Sequence, residues 1–237
     1  MESGLCKQQV KPIELYINVS AEEHEVVLSG VKFVDFIENT PIKIENILLL
    51  KSEYFAAKNF RGFELLEGYD DISELLREDI YNYGDFSFID YSDISSINKI
   101  SEEQIAELLY LAHTHKPLKS AFFDVLQNNF VYLSHDDGWY CKLYCKELQS
   151  STSMLINRLQ KSVRSAFCNS EYTLPKSLIE SIQNLSTKGL LVSLDFQKRN
   201  KGMIKLYEVG KYDNPDILFN SLETKKPSAL LEEHLIG

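Results

Sequence analysis

The chain is short of cysteine, glycine and long apolar runs. It has 4 cysteines and 10 glycines in 237 residues. Apolar stretches such as Ile47–Leu50 fall far below the roughly 18–20 residues that span a bilayer. The first residues, Met1–Cys6, lack the basic and apolar segments of a secretory signal. We therefore expect a reduced, cytoplasmic protein with no membrane span and no disulfide framework.

The common catalytic and nucleotide-binding motifs are also missing. The sequence contains no G-x-x-x-x-G-K-[ST], G-x-G-x-x-G, H-E-x-x-H or G-x-S-x-G. Their absence removes the usual ways of handling nucleotides, peptides and esters, and we expect no cofactor. Hydrophobic residues make up 44 % and charged residues 25 % of the chain, which is typical of a folded globular protein.

The most informative segment that is present covers residues 130–145. Two runs of β-prone residues flank Asp137 and Gly138, and this pair favours a tight hairpin turn. The turn brings His135 and Asp136 beside Trp139, the single tryptophan. The segment is therefore either a structural corner or the mouth of a site.

The remaining pattern predicts an α+β fold, with a mainly antiparallel sheet, packed helices, and a C-terminal helical and hairpin segment. Predicted strands are 14–19, 25–36 (bent or divided), 42–50, 63–66, 85–91, 190–196 and 203–209. Predicted helices are 72–81, 102–114, 153–167 and 175–185. Ser101 and Gln104 form a capping-box pattern before the second helix. The last residues are expected to wrap the surface or fray.

Charge divides the chain near residue 150. Residues 1–150 hold 26 acidic and 13 basic side chains, whereas residues 151–210 hold 4 and 9. We interpret 1–150 as an acidic α+β domain and 151–237 as a basic helix-hairpin segment with a tail, packed on the first. The acidic part argues against nucleic-acid binding, which needs clustered Lys and Arg, and leaves only 151–210 for it.

Candidate catalytic residues cluster around the hairpin. His113, His135, Asp136 and Asp137 are the candidates, and His115 lies nearby in sequence. Histidine and carboxylate side chains are metal ligands and acid–base groups. The spacing of His113 and His115 at a helix end directs them apart, so we predict no metal site. Cys141 and Cys145 are read as small buried hydrophobic residues.

Three blocks carry a resemblance. They are 79–91, 105–113 and 130–140, together with Ile47–Lys51. With these the chain resembles a family of small soluble proteins from bacilli and their relatives, some labelled "oxalate:formate antiporter". The resemblance covers about residues 14–165 and implies no catalytic residues. The antiporter label conflicts with the lack of an apolar run long enough to span a bilayer.

Two functions remain open. The first is a non-enzymatic interaction module (an inhibitor, immunity-type or adaptor domain) that binds a basic protein through acidic residues. Its predicted binding residues are Asp70, Asp71, Glu74 and Trp139. The alternative is an enzyme or small-ligand binder with a pocket near His113, His135, Asp136 and Trp139. A contact of about 4 Å between His113 or His115 and His135 or Asp136 in a cleft would favour the alternative.

Overall fold

The structure, a computed structural model, describes residues 12–51, 56–78, 86–135, 138–197, 201–212, 214–225 and 228–237. The strands are β1 (Ile13–Ser20), β2 (Glu25–Ser29), β3 (Asn46–Lys51), β4 (Lys58–Phe60), β5 (Phe63–Glu67), β6 (Ser87–Tyr91), β7 (Phe130–His135), β8 (Tyr140–Cys145), β9 (Leu190–Gln197), β10 (Lys201–Glu208) and β11 (Leu230–Ile236). The helices are α1 (Phe33–Asn39), α2 (Gly68–Leu75), α3 (Ile94–Ile97), α4 (Glu102–Thr114), α5 (Leu148–Phe167), α6 (Lys176–Leu185) and α7 (Pro215–Lys225).

All of these strands join one sheet in the order β11-β10-β9-β1-β2-β8-β7-β6-β3-β5-β4. Each neighbouring pair is antiparallel. The predicted α+β class with a mainly antiparallel sheet is therefore confirmed. None of the helices in the described ranges is long and apolar enough to cross a membrane.

The predicted hairpin lies at the centre of this sheet. β7 and β8 pair from Phe130 opposite Cys145 to His135 opposite Tyr140. Gly138 has a φ of +76°, a left-handed conformation that glycine adopts without steric cost. Asp136 and Asp137 lie outside the described residues. The hairpin sets which side chains of β8 face which side of the sheet, because side chains alternate along a strand.

One side of the sheet, face A, carries the main core. Leu28 of β2, Tyr132 of β7 and Leu143 of β8 pack there against Phe36 of α1 and Leu159 of α5. All five side chains are fully buried. Burying a large apolar side chain contributes about 1.5–3 kcal/mol, so this face supplies much of the stability of the fold.

The opposite side, face B, carries two smaller cores with polar residues between them. Leu108 of α4 covers Leu133 and Tyr144 in one core. Leu218 of α7 covers Tyr16 and Tyr140 in the other. On β8, Lys142 lies between Tyr140 and Tyr144 and faces the same way, since alternate residues of a strand share a face. Lys142 thus occupies the seam between the two cores.

The prediction of strand over the whole of 25–36 is wrong in its second half. β2 ends at Ser29, and α1 begins at Phe33. Gly30 ends the strand with a φ of +78°, and a Cβ there would lie 2.2 Å from the carbonyl oxygen of Glu14. The β-prone run that follows forms a helix because Phe33 and Phe36, one turn apart, both reach the main core.

The C-terminal part is more ordered than predicted. Instead of wrapping or fraying, it forms α7 and the border strand β11. Strands after residue 150 also extend the sheet of the acidic part, since β9 pairs with β1 along Ile13–Ile17. The charge break near residue 150 falls inside α5, which begins at Leu148.

Candidate functional site

A buried ion pair lies in the seam on face B. Lys142 Nζ is 3.1 Å from Glu25 Oε2, and their side chains are only 7 % and 14 % exposed. The Tyr144 hydroxyl donates a hydrogen bond of 2.9 Å to the same oxygen of Glu25. Glu25 is brought to Tyr144 by strand register, because the two residues are directly paired between β2 and β8.

Burial and the neighbouring carboxylate act on Tyr144 in the same direction. Loss of water around the phenol raises the pKa of Tyr144 first, and the charge of Glu25 raises it further. The phenol therefore stays protonated at neutral pH and serves as a hydrogen-bond donor. A fixed donor and a fixed ammonium converge on one carboxylate, which holds this carboxylate in a single orientation.

The ion pair forms part of the wall of a cleft of about 550 Å³. One side of this cleft is the β1–β2 turn, from Glu22 to Glu25. The other side is the loop after α4, from Lys116 to Phe122. We call this space the hairpin cleft. Its wall combines acidic groups, basic groups and the aromatic rings of Phe122 and Tyr144, so a small ligand in it would meet charges of both signs.

The turn that borders the cleft is held by His24. This residue has a φ of +50°, and its Nδ1 lies 3.3 Å from the carbonyl oxygen of Cys145. Its ring meets Phe122 edge-on at 6.0 Å between centroids. His24 therefore connects the β1–β2 turn both to β8 and to the opposite side of the hairpin cleft.

The loop on the other side is fixed by a buried asparagine. Asn128 is fully buried; its Oδ1 accepts a 2.8 Å hydrogen bond from the Phe123 backbone, and its Nδ2 donates to Ala121. Such a satisfied buried amide specifies one loop conformation. It thereby fixes the loop that carries Lys116 and Phe122 along the cleft.

Two histidines meet where the end of α4 approaches β7. His115, in the left-handed C-cap of α4, places its Nδ1 against Nε2 of His135, with ring centroids 3.8 Å apart. One ring must donate and the other accept, so double protonation would set two like charges together. His115 is 4 % exposed, and its carbonyl oxygen is 3.4 Å from the Tyr144 hydroxyl. Tyr144 thus links this histidine pair to Glu25.

The two described catalytic candidates, His113 and His135, have different surroundings. The structure brings His135 to His115, whereas His113 is exposed on α4. The contact is partly buried, with His115 buried and His135 half-buried, so the distance part of the criterion for an enzyme or ligand site is met. Asp136 and Asp137 lie outside the described residues. Trp139 turns toward α7, where its ring meets Phe219 edge-on at 5.7 Å.

The predicted binding residues do not form one surface with Trp139. Asp70 and Glu74 are exposed on α2, and Asp71 accepts a 2.9 Å hydrogen bond from the backbone of Glu67. α2 packs on the main core of face A through Ile72, whereas Trp139 packs with the α7 core on face B. They therefore remain two separate candidate surfaces.

The buried thiols and Asp90 are occupied structurally. Burial raises the pKa of Cys141 to about 12 and also raises the pKa of Cys145. Asp90 is buried, which raises its pKa, and its carboxylate accepts backbone hydrogen bonds from Asn129 and Phe130. These groups brace the sheet, and none of the three is prepared as a nucleophile.

Sequence reasoning missed Glu25, Lys142 and Tyr144. One signal was available: a lysine between two tyrosines in an alternating strand, Tyr140-x-Lys142-x-Tyr144. That spacing places a cation on the same face as two large aromatic residues, where burial needs a counter-ion.

Comparison with protein-family models, with curated proteins and with solved structures found no match.

Proposed function

We propose that the protein is a non-enzymatic binding module that takes a small zwitterionic ligand in the hairpin cleft. The observation that carries the proposal is the buried Glu25–Lys142 pair in the wall of this cleft. Removing two charges from water costs several kcal/mol per ion, and a well-packed apolar pair is often as stable or more so. A role in binding a ligand therefore explains a buried ion pair in the wall of a cleft better than a role in stabilising the fold does.

The charge layout gives the class of ligand. Glu22 and Glu23 lie on the turn side, and Lys116 lies on the loop side. In the described part of the chain, none of these three forms an ion pair, whereas Lys119 pairs with Glu107 at 2.7 Å. A ligand with an ammonium group at one end and a carboxylate at the other would pair with both sides. Free amino acids and short peptides have this chemistry.

The test is a titration with intact and blocked ligands. The probes are glycine, L-glutamate, L-lysine and glycylglycine, each compared with its N-acetylated and its amidated form, and binding is measured by calorimetry. At least one intact zwitterion should bind at least tenfold more tightly than both blocked forms, since each lost charge leaves a charged group of the cleft without a partner. Equal binding of intact and blocked forms would contradict the proposal.

Matched variants locate the binding. Lys116→Glu reverses a charge on the loop side of the cleft and should weaken the preferred zwitterion at least tenfold. Lys161→Glu makes the same change on α5, where Lys161 pairs with Glu38 at the surface, and should leave affinity unchanged. Loss of binding in both variants, or in neither, would place the ligand elsewhere.

A second candidate function is binding of a basic protein through α2. The observation that favours it is Tyr69, which is 80 % exposed beside the exposed Asp70 and Glu74. Tyrosine is enriched among the residues that carry binding energy at interfaces, and acidic groups speed association with a basic partner.

The α2 surface is tested by charge reversal during capture from native lysate at low and high salt. A basic partner should be retained by the wild-type protein at low salt and lost from Asp70→Lys/Glu74→Lys. The matched variant Glu102→Lys/Glu103→Lys, on exposed positions of α4, should retain it. A partner that ignores both the salt and the α2 reversal would remove this candidate.

A further inference from the structure

The border strand β11 differs from the opposite border of the sheet. Borders with unpaired backbone groups attract other strands, and proteins usually blunt them with short, charged or proline-containing strands. β4 follows this rule, with three residues that include the exposed Lys58 and Asn59. β11 is seven residues long, and none of the described residues pairs with its outer side.

The side chains of β11 are apolar to an unusual degree for a border. Leu231 is 48 % and Leu235 63 % exposed, and Leu230 is also exposed. The acidic residues in the middle have partners on their own chain. Glu232 pairs with His234 at 2.8 Å, and Glu233 pairs with Lys205 at 3.0 Å. An exposed apolar border strand of this kind fits the addition of another strand.

We propose that β11 is a dimer interface, where it pairs antiparallel with β11 of a second copy of this chain. A two-fold axis perpendicular to the sheet makes such an interface self-complementary. It also keeps each face continuous across the two copies, so residues of the same face must oppose each other. The axis must therefore pass midway between one residue of β11 and the same residue of the second copy. The candidates nearest the middle of β11 are Glu232, Glu233 and His234.

Side-chain chemistry selects among these three registers. With the axis at Glu233, Leu231 lies opposite Leu235 of the second copy, and Glu232 lies opposite His234. With the axis at Glu232 or His234, a leucine lies opposite Glu233 instead. Apolar pairs across neighbouring strands stabilise a sheet, and a carboxylate opposite an imidazole can accept a hydrogen bond from it. Glu233 would lie opposite Glu233 of the second copy. The ammonium group of Lys205 beside each Glu233 offsets the repulsion between these two carboxylates.

The first test is oligomeric state by sedimentation velocity across the micromolar range. The wild-type chain of 27.3 kDa should sediment at twice this mass. Leu231→Glu/Leu235→Glu should sediment as a monomer. Leu109→Glu/Leu118→Glu, the same change at two exposed leucines on and just after α4, should remain dimeric. A monomeric wild-type protein, or dimer loss in the α4 variant alone, would overturn the proposal.

Cross-linking tests the register independently of these variants. In a Cys6→Ser/Cys168→Ser background, Glu233→Cys should form a disulfide-linked dimer on mild oxidation, because each residue 233 faces itself. Glu232→Cys should not, since two residues 232 would be about 8 Å apart, given the strand rise and spacing, beyond the roughly 7 Å limit for a disulfide. Cross-linking at 232 in place of 233, or at neither position, would overturn the proposed register.

Discussion

Replacement of Lys142 by methionine probes the ion pair in the seam between the two cores of face B. The change removes the ammonium group and keeps an unbranched chain of similar length. Glu25, whose side chain is 14 % exposed, then keeps the Tyr144 hydroxyl as its remaining partner in the pair. Breaking a buried pair typically costs about 3–5 kcal/mol. The hydrogen bond from Tyr144 and the residual exposure of Glu25 favour the lower end, about 3 kcal/mol.

The double variant Glu25→Gln/Lys142→Met separates the pair from simple loss of packing. It removes both charges and leaves an amide that still accepts from Tyr144. We expect it to lose about 1 kcal/mol or less, because neutral replacement of a buried pair is often tolerated. Each single variant should therefore be less stable than the double variant.

Urea unfolding at pH 7, followed by circular dichroism, measures these differences. Lys161→Met is the matched control, since its pair with Glu38 is exposed at 57 % and 44 % and should contribute under about 1 kcal/mol. Lys142→Met as stable as this control would refute the reasoning. So would a double variant that loses the sum of the two single losses.

Two further predictions concern buried titratable groups. Asp90→Asn should lower the free energy of unfolding by about 2 kcal/mol at pH 7. The NH2 group of the new side chain would face backbone N–H donors that the carboxylate now accepts from. Burial raises the pKa of Asp90, so the folded state binds a proton at this carboxylate more readily than the unfolded chain does. As pH falls from neutral, the wild-type protein should therefore become more stable relative to Asp90→Asn. Urea titrations measure this difference in stability, and a difference that stays constant with pH would contradict the prediction. In a Cys6→Ser background, Cys168 should react promptly with a thiol reagent because it is exposed. Cys141 and Cys145 should react only on unfolding, and prompt reaction of all three would show that the sheet opens readily.

Elements with strong local signals could be predicted from the sequence. α4 runs over the predicted residues, and both hydrogen bonds of its capping box between Ser101 and Gln104 are present. The β7–β8 hairpin likewise follows from alternating side chains around Gly138. In both cases, residues close in sequence determine the conformation.

The site could not be predicted because its residues are distant in sequence. Glu25 and Tyr144 are 119 positions apart and meet only through the pairing of β2 with β8. The same holds for α1, whose β-prone sequence is overridden by the burial of Phe33 and Phe36 on face A. Single-sequence patterns report local preference, and long-range pairing decided these regions.

The central claim is that the hairpin cleft binds a zwitterion, and amide chemical shifts test it most directly. A titration of the ¹⁵N-labelled protein with the zwitterion that binds most tightly should shift the amides of His24, Phe122 and Lys142 together, along one saturable curve. The same titration of Lys116→Glu should require at least tenfold more ligand for half-saturation. Shifts that never saturate, or that centre on α2 or α7 and leave these three amides unmoved, would contradict the claim.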